Sequence, residues 1–474
     1  MNRRSVHNTH MKKVLSSICA VLTLSMLICW LAACKSTTAE IDNSGSSKGV
    51  SMGEDGQGAE GEPLRVLVDI DFASNYVKTD ASGAGERLFN NFELKDIGQV
   101  ELECLPKEGE ERAAALTRLR TEIMTGNGPD LLICACTNPH SDEQPLFRFP
   151  DQIMDQRLFL PLDDYMDSAK FTDFNKLLPI AMQAGRNDQG QQIVPLAFTL
   201  PMTVFRKSDV QHEHSKTMTW AEQLAGDDVM KLSAVVSDSA SSYRSAGFKE
   251  IADYEDESLC FSEEELLNYL DEYNRLSYGQ EELKVPDYFS TDLTVQFIDS
   301  LGTDVTHYNS DHHGGLRNTD VMTMVPVYSN QGGYIAYITS FAAINRNTQK
   351  PERAFAVLDY LLSPAGACSE LYGIITDRSG MPVHMDVGTE ENPIATQSSG
   401  RKWYLSQENY EEYCDLRDHV SAVRFSTPLE RHIVKAVWDI NSIEYKISQG
   451  ESVNSIEKIV SDIYRTMKME LAES

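Results

Sequence analysis

Short apolar runs and helically spaced apolar residues alternate along the chain after residue 62. Short apolar runs predict strands at 64–70, 100–105, 131–136 and 193–198, and the first of them is rich in β-branched residues. Leu116, Leu119 and Ile123 recur at helical spacing within residues 110–125, and Gly126 is placed to end that helix. A strand, a helix and a second strand in this order form a βαβ unit, which implies a parallel sheet.

The C-terminal half carries the same two kinds of pattern. Its predicted elements are strands at 334–338 and 341–344 and helices at 351–362, 433–447 and 453–467. Gly450 is placed to end the first of the two C-terminal amphipathic helices. Trp438 lies within that helix, so we expect its side chain to be buried in the core.

The N-terminal segment has a different pattern. Four basic residues precede an apolar run at 14–30, which closes with Leu31-Ala32-Ala33-Cys34. A basic region, an apolar region and a small-residue cleavage site are typical of a secretory signal peptide, here residues 1–33. An uncleaved membrane anchor is the alternative, although the apolar run is at the short limit for a spanning helix. The start of the chain is either Met1 or Met11, since Met11 also begins a compact signal.

Residues 34–62 are rich in Ser, Thr, Gly and Glu and have no apolar periodicity. This composition predicts a flexible tether. The remaining residues of the 474 are enough for two lobes rather than three domains.

The charge balance excludes one class of partner. Lys and Arg total 42 against 72 Asp and Glu, which gives a formal net charge of −30. A chain this acidic repels phosphate backbones, and it has no basic stripe with interleaved aromatic residues. We therefore expect no nucleic-acid binding. Disulfides among the six cysteines after Cys34 are possible but not required, because Cys134 and Cys136 lie in a predicted buried strand.

Several segments together resemble a known family. The end of the apolar run, Leu31-Ala32-Ala33-Cys34, resembles a bacterial lipobox, which implies that Cys34 is lipidated and becomes the mature N-terminus. The helix-to-strand junction with Gly128-Pro129-Asp130 resembles the extracellular solute-binding proteins (family 1, sugar-type) of ABC importers. Further segments at 158–165, 191–196, 341–344, 347–355 and 380–383 follow in the family's order.

This resemblance implies an α/β, two-lobed periplasmic-binding-protein-like fold of type II, with mixed sheets, helices on both faces and a hinge of several strand crossings. The N-terminal lobe would comprise residues 63–198 plus 334–374, and the C-terminal lobe residues 199–333 plus 375–474. Two regions depart from the family, residues 71–95 and the acidic segment 233–320. Both are able to contribute ligand contacts, so the identity of the ligand stays open.

Ligands of open parallel sheets bind beyond the carboxyl ends of the strands. A sugar needs hydrogen-bonding groups for its hydroxyls and an aromatic face for its C–H surface. The candidate ligand-binding residues are Asp71 and Asn75 after the first strand, Thr137 and Asn138 after the strand at 131–136, Thr199 at a hinge crossing, Gly332, Gly333 and Tyr334 in a close-approach loop, and Phe425 as a stacking ring.

Two rival functions remain open. His212, Glu213 and His214, with His307 and the pair His312-His313, suggest a metal- or peptide-binding lipoprotein, although surface histidines account for the same pattern. The many carboxylates allow a secreted glycosidase, but no nucleophile, phosphate-binding or metalloprotease motif is present. We expect a monomeric binding protein without enzymatic activity or cofactor, whose partners are a sugar, ABC permease subunits and the membrane through its lipid anchor.

Overall fold

A computed structural model describes residues 62–69, 97–137, 142–208, 210, 212–235, 245–277, 321–368, 380–396 and 402–473. Residues Gly58–Ser474 form one compact unit. The predicted signal peptide, Cys34 and the tether up to residue 61 lie outside the described residues. The same holds for three predicted ligand-binding residues, Asp71, Asn75 and Asn138, and for His307, His312 and His313.

The described strands range from two to ten residues in length. They are β1 Leu64–Asp69, β2 Val100–Cys104, β3 Leu131–Ala135, β4 Arg186–Asn187, β5 Gly190–Gln191, β6 Ile193–Thr199, β7 Met202–Arg206, β8 Ala252–Asp253, β9 Ser258–Leu259, β10 Met322–Pro326, β11 Ile335–Ile344, β12 Met381–Pro382, β13 Ala395–Thr396, β14 Lys402–Trp403 and β15 Ala422–Phe425.

The described helices surround these strands. They are α1 Gly109–Met124, α2 Pro150–Asp155, α3 Asp163–Met166, α4 Pro179–Ala184, α5 Trp220–Leu224, α6 Asp228–Ala234, α7 Glu263–Ser277, α8 Pro351–Leu362, α9 Pro364–Ala367, α10 Gln407–Asp418, α11 Pro428–Asn441, α12 Ile443–Ser448 and α13 Ile456–Ala472. None of the helices in the described ranges is both long and apolar enough to cross a membrane.

One mixed sheet organises the unit. Its strand order is β12-β6-β11-β3-β1-β2, and β15 also pairs with β11. The predicted parallel arrangement of β2 and β3 is confirmed, although the two strands are not neighbours. Both pair in parallel with β1, which lies between them. Outside this sheet, β7 and β10 form a separate antiparallel pair.

The two strands predicted at 334–338 and 341–344 form one strand, β11, all ten residues of which are buried. In the sequence, the polar residues Thr339 and Ser340 suggest that one strand ends and another begins. The structure instead has a bulge there, between Ile338 and Phe341. A bulge bends a strand without ending it. The strand therefore continues through the middle of the sheet and is shared by its two halves.

The junction between α1 and β3 explains the positions of Gly126 and Asp130. Gly126 ends α1 in a left-handed conformation, with φ of +81°. Asp130 accepts hydrogen bonds from the backbone N–H of Arg65 at 2.8 Å and from the Thr348 hydroxyl at 2.5 Å. One carboxylate thus ties β1 to the turn after β11, which fixes the parallel register at the entrance to the sheet.

The predicted C-terminal helix at 433–447 is two helices, α11 and α12, separated at Ser442. The expected burial of Trp438 is wrong, because 47% of this residue is exposed. Val437 and Ile440 face the core instead, and residue 438 is rotated by about 100° from residue 437 around the helix. Cys134 and Cys136 have free thiols and are buried as expected.

Candidate functional site

The carboxyl ends of β3 and β15 meet head to head on β11. β3 runs antiparallel to the second half of β11, and β15 runs parallel to the first half. The backbone N–H of Thr137 donates to the carbonyl of Ser426 at 3.1 Å, and the Ser426 hydroxyl donates to the carbonyl of Thr137 at 2.8 Å. The N–H of Cys136 donates to the carbonyl of Thr339 at 2.9 Å. We call Thr137, Thr339 and Ser426 the strand junction.

Two hydroxyl groups at this place have no partner among the described residues. They are Oγ1 of Thr137 and Oγ of Ser340, and both side chains are buried. A buried hydroxyl without a hydrogen bond costs about 1–3 kcal/mol of folding free energy. A hydroxyl of this kind can accept or donate a hydrogen bond to a water molecule, an ion or a ligand that reaches it. The strand junction therefore has unused hydrogen-bonding capacity.

Arg424 brings a half-buried positive charge next to the strand junction. Its Nη2 donates to the hydroxyls of Tyr337 at 2.6 Å and Ser245 at 3.0 Å, and its Nη1 donates to the carbonyl of Phe248 at 2.7 Å. The guanidinium carbon lies 4.7 Å from the centroid of the Tyr337 ring. Burial raises the pKa of Tyr337 to about 12, so its phenol remains neutral and keeps its hydrogen.

One carboxyl group, Glu430, flanks Arg424, and the charge of Glu430 acts in turn on a second carboxyl group, Asp151. Oε1 of Glu430 lies 3.4 Å from Nε of Arg424, and Glu430 also closes the capping box of α11 with Thr427. Burial raises the pKa of Glu430, against the opposing effect of Arg424. Burial raises the pKa of Asp151 to about 7, and the charges of Asp155 and Glu430 add to this effect. Asp151 thus changes its charge near neutral pH.

The structure brings three of the predicted residues together around the middle of β11. Thr137 follows β3, Thr199 pairs with Tyr337 from the β6 side, and Phe425 pairs with Ile338 from the β15 side. Thr137 and Thr199 are buried, so neither is exposed to solvent in this conformation.

The loop at Gly332 and Gly333, predicted to let a ligand approach closely, has a left-handed backbone, and its contact with a ligand stays a prediction. Gly332 and Gly333 have φ of +86° and +73°, and the N–H of Gly333 donates to the carbonyl of Met218 at 3.0 Å. The close approach is made to the chain itself, because a Cβ on Gly333 would lie 2.7 Å from the side chain of Ser421.

The two predicted stacking rings have core partners in this conformation. Tyr334 is 1% exposed, and its hydroxyl donates to the carbonyl of Leu416 at 2.9 Å. Phe425 is also 1% exposed and packs edge-on against Phe341, with 5.7 Å between the ring centroids. Their contact with a ligand stays a prediction, and it requires a rearrangement that exposes a ring face.

The described histidines make local contacts. Nε2 of His212 lies 3.4 Å from the hydroxyl of Tyr328, and Nε2 of His214 lies 3.5 Å from Oε1 of Glu412. The part of the chain that the structure describes contains no group of three or more His, Cys, Asp or Glu residues arranged to hold a metal ion.

Sequence reasoning missed Arg424 and Ser426. A signal for both was available, since Ala422, Val423 and Phe425 make a short apolar run between Ser421 and Ser426, as a short strand does. Recognising that strand would have placed Ser426 after β15 by the same rule that selected Thr137 after β3.

Comparison with models of protein families gives no match, and comparison with curated protein sequences gives none either. Comparison with solved structures gives three alignments with a TM-score of 0.50 at 15% identity, each covering 87% of this chain. They are a periplasmic solute-binding protein from Pectobacterium atrosepticum, a family 1 extracellular solute-binding protein from Alicyclobacillus acidocaldarius and a periplasmic oligogalacturonide binding protein from Yersinia enterocolitica. The alignments cover 99%, 100% and 99% of those chains, respectively. The chain therefore has the mixed α/β fold of the extracellular solute-binding proteins.

Proposed function

We propose that this chain is a lipid-anchored substrate-binding protein. It captures a carbohydrate of the oligosaccharide class between two lobes and delivers it to an ABC permease. The observation that carries the proposal is the strand junction. Carboxyl ends of strands from opposite directions meet there, and the Thr137 hydroxyl has no partner among the described residues. The fold similarity to an oligogalacturonide binding protein supports the same ligand class.

The proposed mechanism is capture by domain closure. Two lobes joined by strand crossings can open and close around a ligand between them, and a closed form presents a new surface to a partner. Hydroxyl, amide and guanidinium groups at the strand ends would bind sugar hydroxyls, and an exposed ring face would cover the C–H surface. Binding without turnover is the activity that this arrangement supports.

The test of binding is calorimetry of the mature protein against a panel of neutral and acidic oligosaccharides. We expect one ligand class to bind with a stoichiometry of one and to leave the mixture unchanged in product analysis. Conversion of a sugar would contradict the binding role in favour of the glycosidase alternative. Absence of binding to every sugar, together with a zinc-dependent rise in melting temperature, would favour the metal-binding alternative.

The proposed location is the outer face of the cell membrane, with the lipid on Cys34. Cys34→Ser should release the protein from the membrane fraction into the soluble fraction. Retention of the variant in the membrane fraction with lipid attached would contradict the anchor assignment.

A further inference from the structure

A cavity lies away from the strand junction, between α1, α2 and the end of α13. Its volume is about 220 Å³. None of its lining residues belongs to the strand junction. Most of its walls are apolar and come from Ile123, Met124, Leu146, Phe147, Phe149, Ile153 and Leu158. A cavity of about 150 Å³ lined by apolar side chains is enough to hold benzene, so this one has room for an aromatic ring and a short substituent.

Two arginines line this apolar cavity, although the chain has a formal net charge of −30. Arg120 donates from Nε to the carbonyl of Leu146 at 3.0 Å and from Nη2 to the carbonyl of Pro145 at 2.9 Å. It makes no ion pair with a described residue. Burial lowers the pKa of Arg120, the positive charge of Arg148 lowers it further, and the negative charge of Asp69 opposes both effects. The two guanidinium groups therefore repel each other in a poorly solvated place.

The negative charges facing the cavity do not fully compensate the two arginines. Arg148 pairs with Glu470, which also accepts a hydrogen bond from Nε2 of His432 at 2.5 Å. Nε of Arg148 is buried and has no hydrogen-bond partner among the described residues. Glu473 lines the mouth of the cavity, but its side chain is exposed, so solvent screens its charge.

We propose that this cavity binds a small amphipathic carboxylate, an aryl acid whose ring occupies the apolar walls and whose carboxylate lies next to Arg120 and Arg148. Arginine suits this role because its planar donors match the two oxygens of a carboxylate. Gln152 and Gln156 at the same wall supply neutral donors. The site is independent of the sugar-binding role and takes a ligand of a different class.

The test uses the mature protein, benzoate, phenylacetate and 3-phenylpropionate as probes, and 3-phenylpropan-1-ol as a neutral control. We expect at least one acid to bind with a stoichiometry of one in calorimetry, and the alcohol to bind at least tenfold more weakly. Arg148→Gln should weaken acid binding at least tenfold, and Ile153→Trp, which fills the cavity, should abolish it. Arg465→Gln, on an exposed part of α13, is the matched control and should leave binding unchanged.

Equal affinity for the acid and the alcohol would overturn the proposal, as would binding that survives Ile153→Trp. Failure of all three acids to bind at millimolar concentration would also overturn it. Melting temperatures of the variants separate loss of binding from loss of folding. A crystal soaked with 4-bromophenylacetate gives a second readout that needs no variant, since the anomalous signal of bromine should lie in the cavity. Bromine found only elsewhere would contradict the assignment.

Discussion

At the end of β1, a buried ion pair connects three parts of the chain. Nη2 of Arg112 lies 2.8 Å from Oδ1 of Asp69, and the two side chains are 8% and 1% exposed. Asp69 also accepts a hydrogen bond from the N–H of Leu146 at 2.7 Å, and Arg112 donates to the carbonyl of Gln144. The pair therefore holds β1, α1 and the segment before α2 in a single arrangement.

Removing the charge of Asp69 should destabilise the protein strongly. Asp69→Asn keeps the shape but leaves the buried Arg112 guanidinium with only the half-exposed carboxylate of Glu143, 3.9 Å from its Nε. Loss of the buried partner costs about 3 kcal/mol of unfolding free energy in such pairs. Urea unfolding measures this loss. Asp439→Asn is the control, because Asp439 and Lys446 form an exposed pair and their separation should have no measurable effect.

The raised pKa of Asp151 predicts a dependence of stability on pH. The pKa is about 7 in the folded protein and near 3.8 in the unfolded chain, so the neutral acid stabilises the fold. This contribution is complete below pH 4 and is lost as the pH rises through 7. Asp151→Asn should therefore raise the free energy of unfolding by about 2 kcal/mol at pH 8, a figure that allows for partial exposure of the side chain. At pH 4 it should leave the free energy of unfolding unchanged. An equal effect at both pH values in urea unfolding would contradict this.

The unused hydroxyl of Thr137 allows its role in binding to be separated from its role in folding. Thr137→Val keeps the shape and removes the hydroxyl, so the melting temperature should stay the same or rise. If Thr137 contacts the sugar, the affinity should fall about tenfold in calorimetry. Thr203→Val in β7 is the matched control, since its hydroxyl is also buried without a described partner. Equal sugar affinity for both variants would remove Thr137 from the site.

Single residues show how far sequence reasoning reaches at this scale. The place of Thr137, just after a buried strand, was predictable because the residue follows an apolar run whose burial is evident from the pattern. The orientation of Tyr334 was not, because a ring at a strand end can face a cleft or the core. That choice depends on where Leu416 lies, which is 82 residues further along the chain.

At the scale of elements, some helix ends were predictable from the sequence and others were not. The glycines at 126 and 450 indicated helix ends correctly, because a left-handed residue after a helix favours glycine. The break between α11 and α12 was not visible. Ile440 and Ile447 are seven residues apart, a spacing that a continuous helix also produces, so apolar periodicity does not report the interruption at Ser442.

Two glycines with similar backbone angles should respond differently to alanine. Gly333 and Gly450 have φ of +73° and +77°, but a Cβ on Gly333 would lie 2.7 Å from Ser421, and a Cβ on Gly450 would have no atom within 4 Å. Gly450→Ala should cost about 1 kcal/mol through backbone strain alone. Gly333→Ala adds a collision and should cost about 1–3 kcal/mol more. An equal loss of unfolding free energy in the two variants, measured by urea unfolding, would show that the loop at Gly333 moves to make room for the methyl group.

At the scale of the whole molecule, the fold class could be predicted but the lobe boundaries remain a prediction. One hydrophobic cluster contains Val66 and Leu131 of the proposed N-terminal lobe and also Met324 of the proposed C-terminal lobe. Apolar patterns along the sequence identify strands that belong to a core. They do not tell whether two sheets share one core, because that depends on how the strand crossings fold.

Closure of the proposed lobes predicts a change in overall dimensions. A saturating concentration of the sugar found by calorimetry should reduce the radius of gyration in small-angle X-ray scattering. The reduction should follow the fraction of bound protein through the titration. Tight binding with identical scattering curves would contradict closure while leaving sugar binding intact.

The position of β11 in the chain has a consequence for biosynthesis. This strand joins β3 to β6 in the sheet, yet its residues come about 200 positions after those of β3, as the pairing of Ala343 with Leu132 shows. Sheets that depend on such distant pairing fold slowly, because a long loop must close before the contacts form. A ribosome therefore synthesises most of the chain before its central sheet can assemble. Together with the proposed N-terminal secretory signal, this delay would keep the chain unfolded for export.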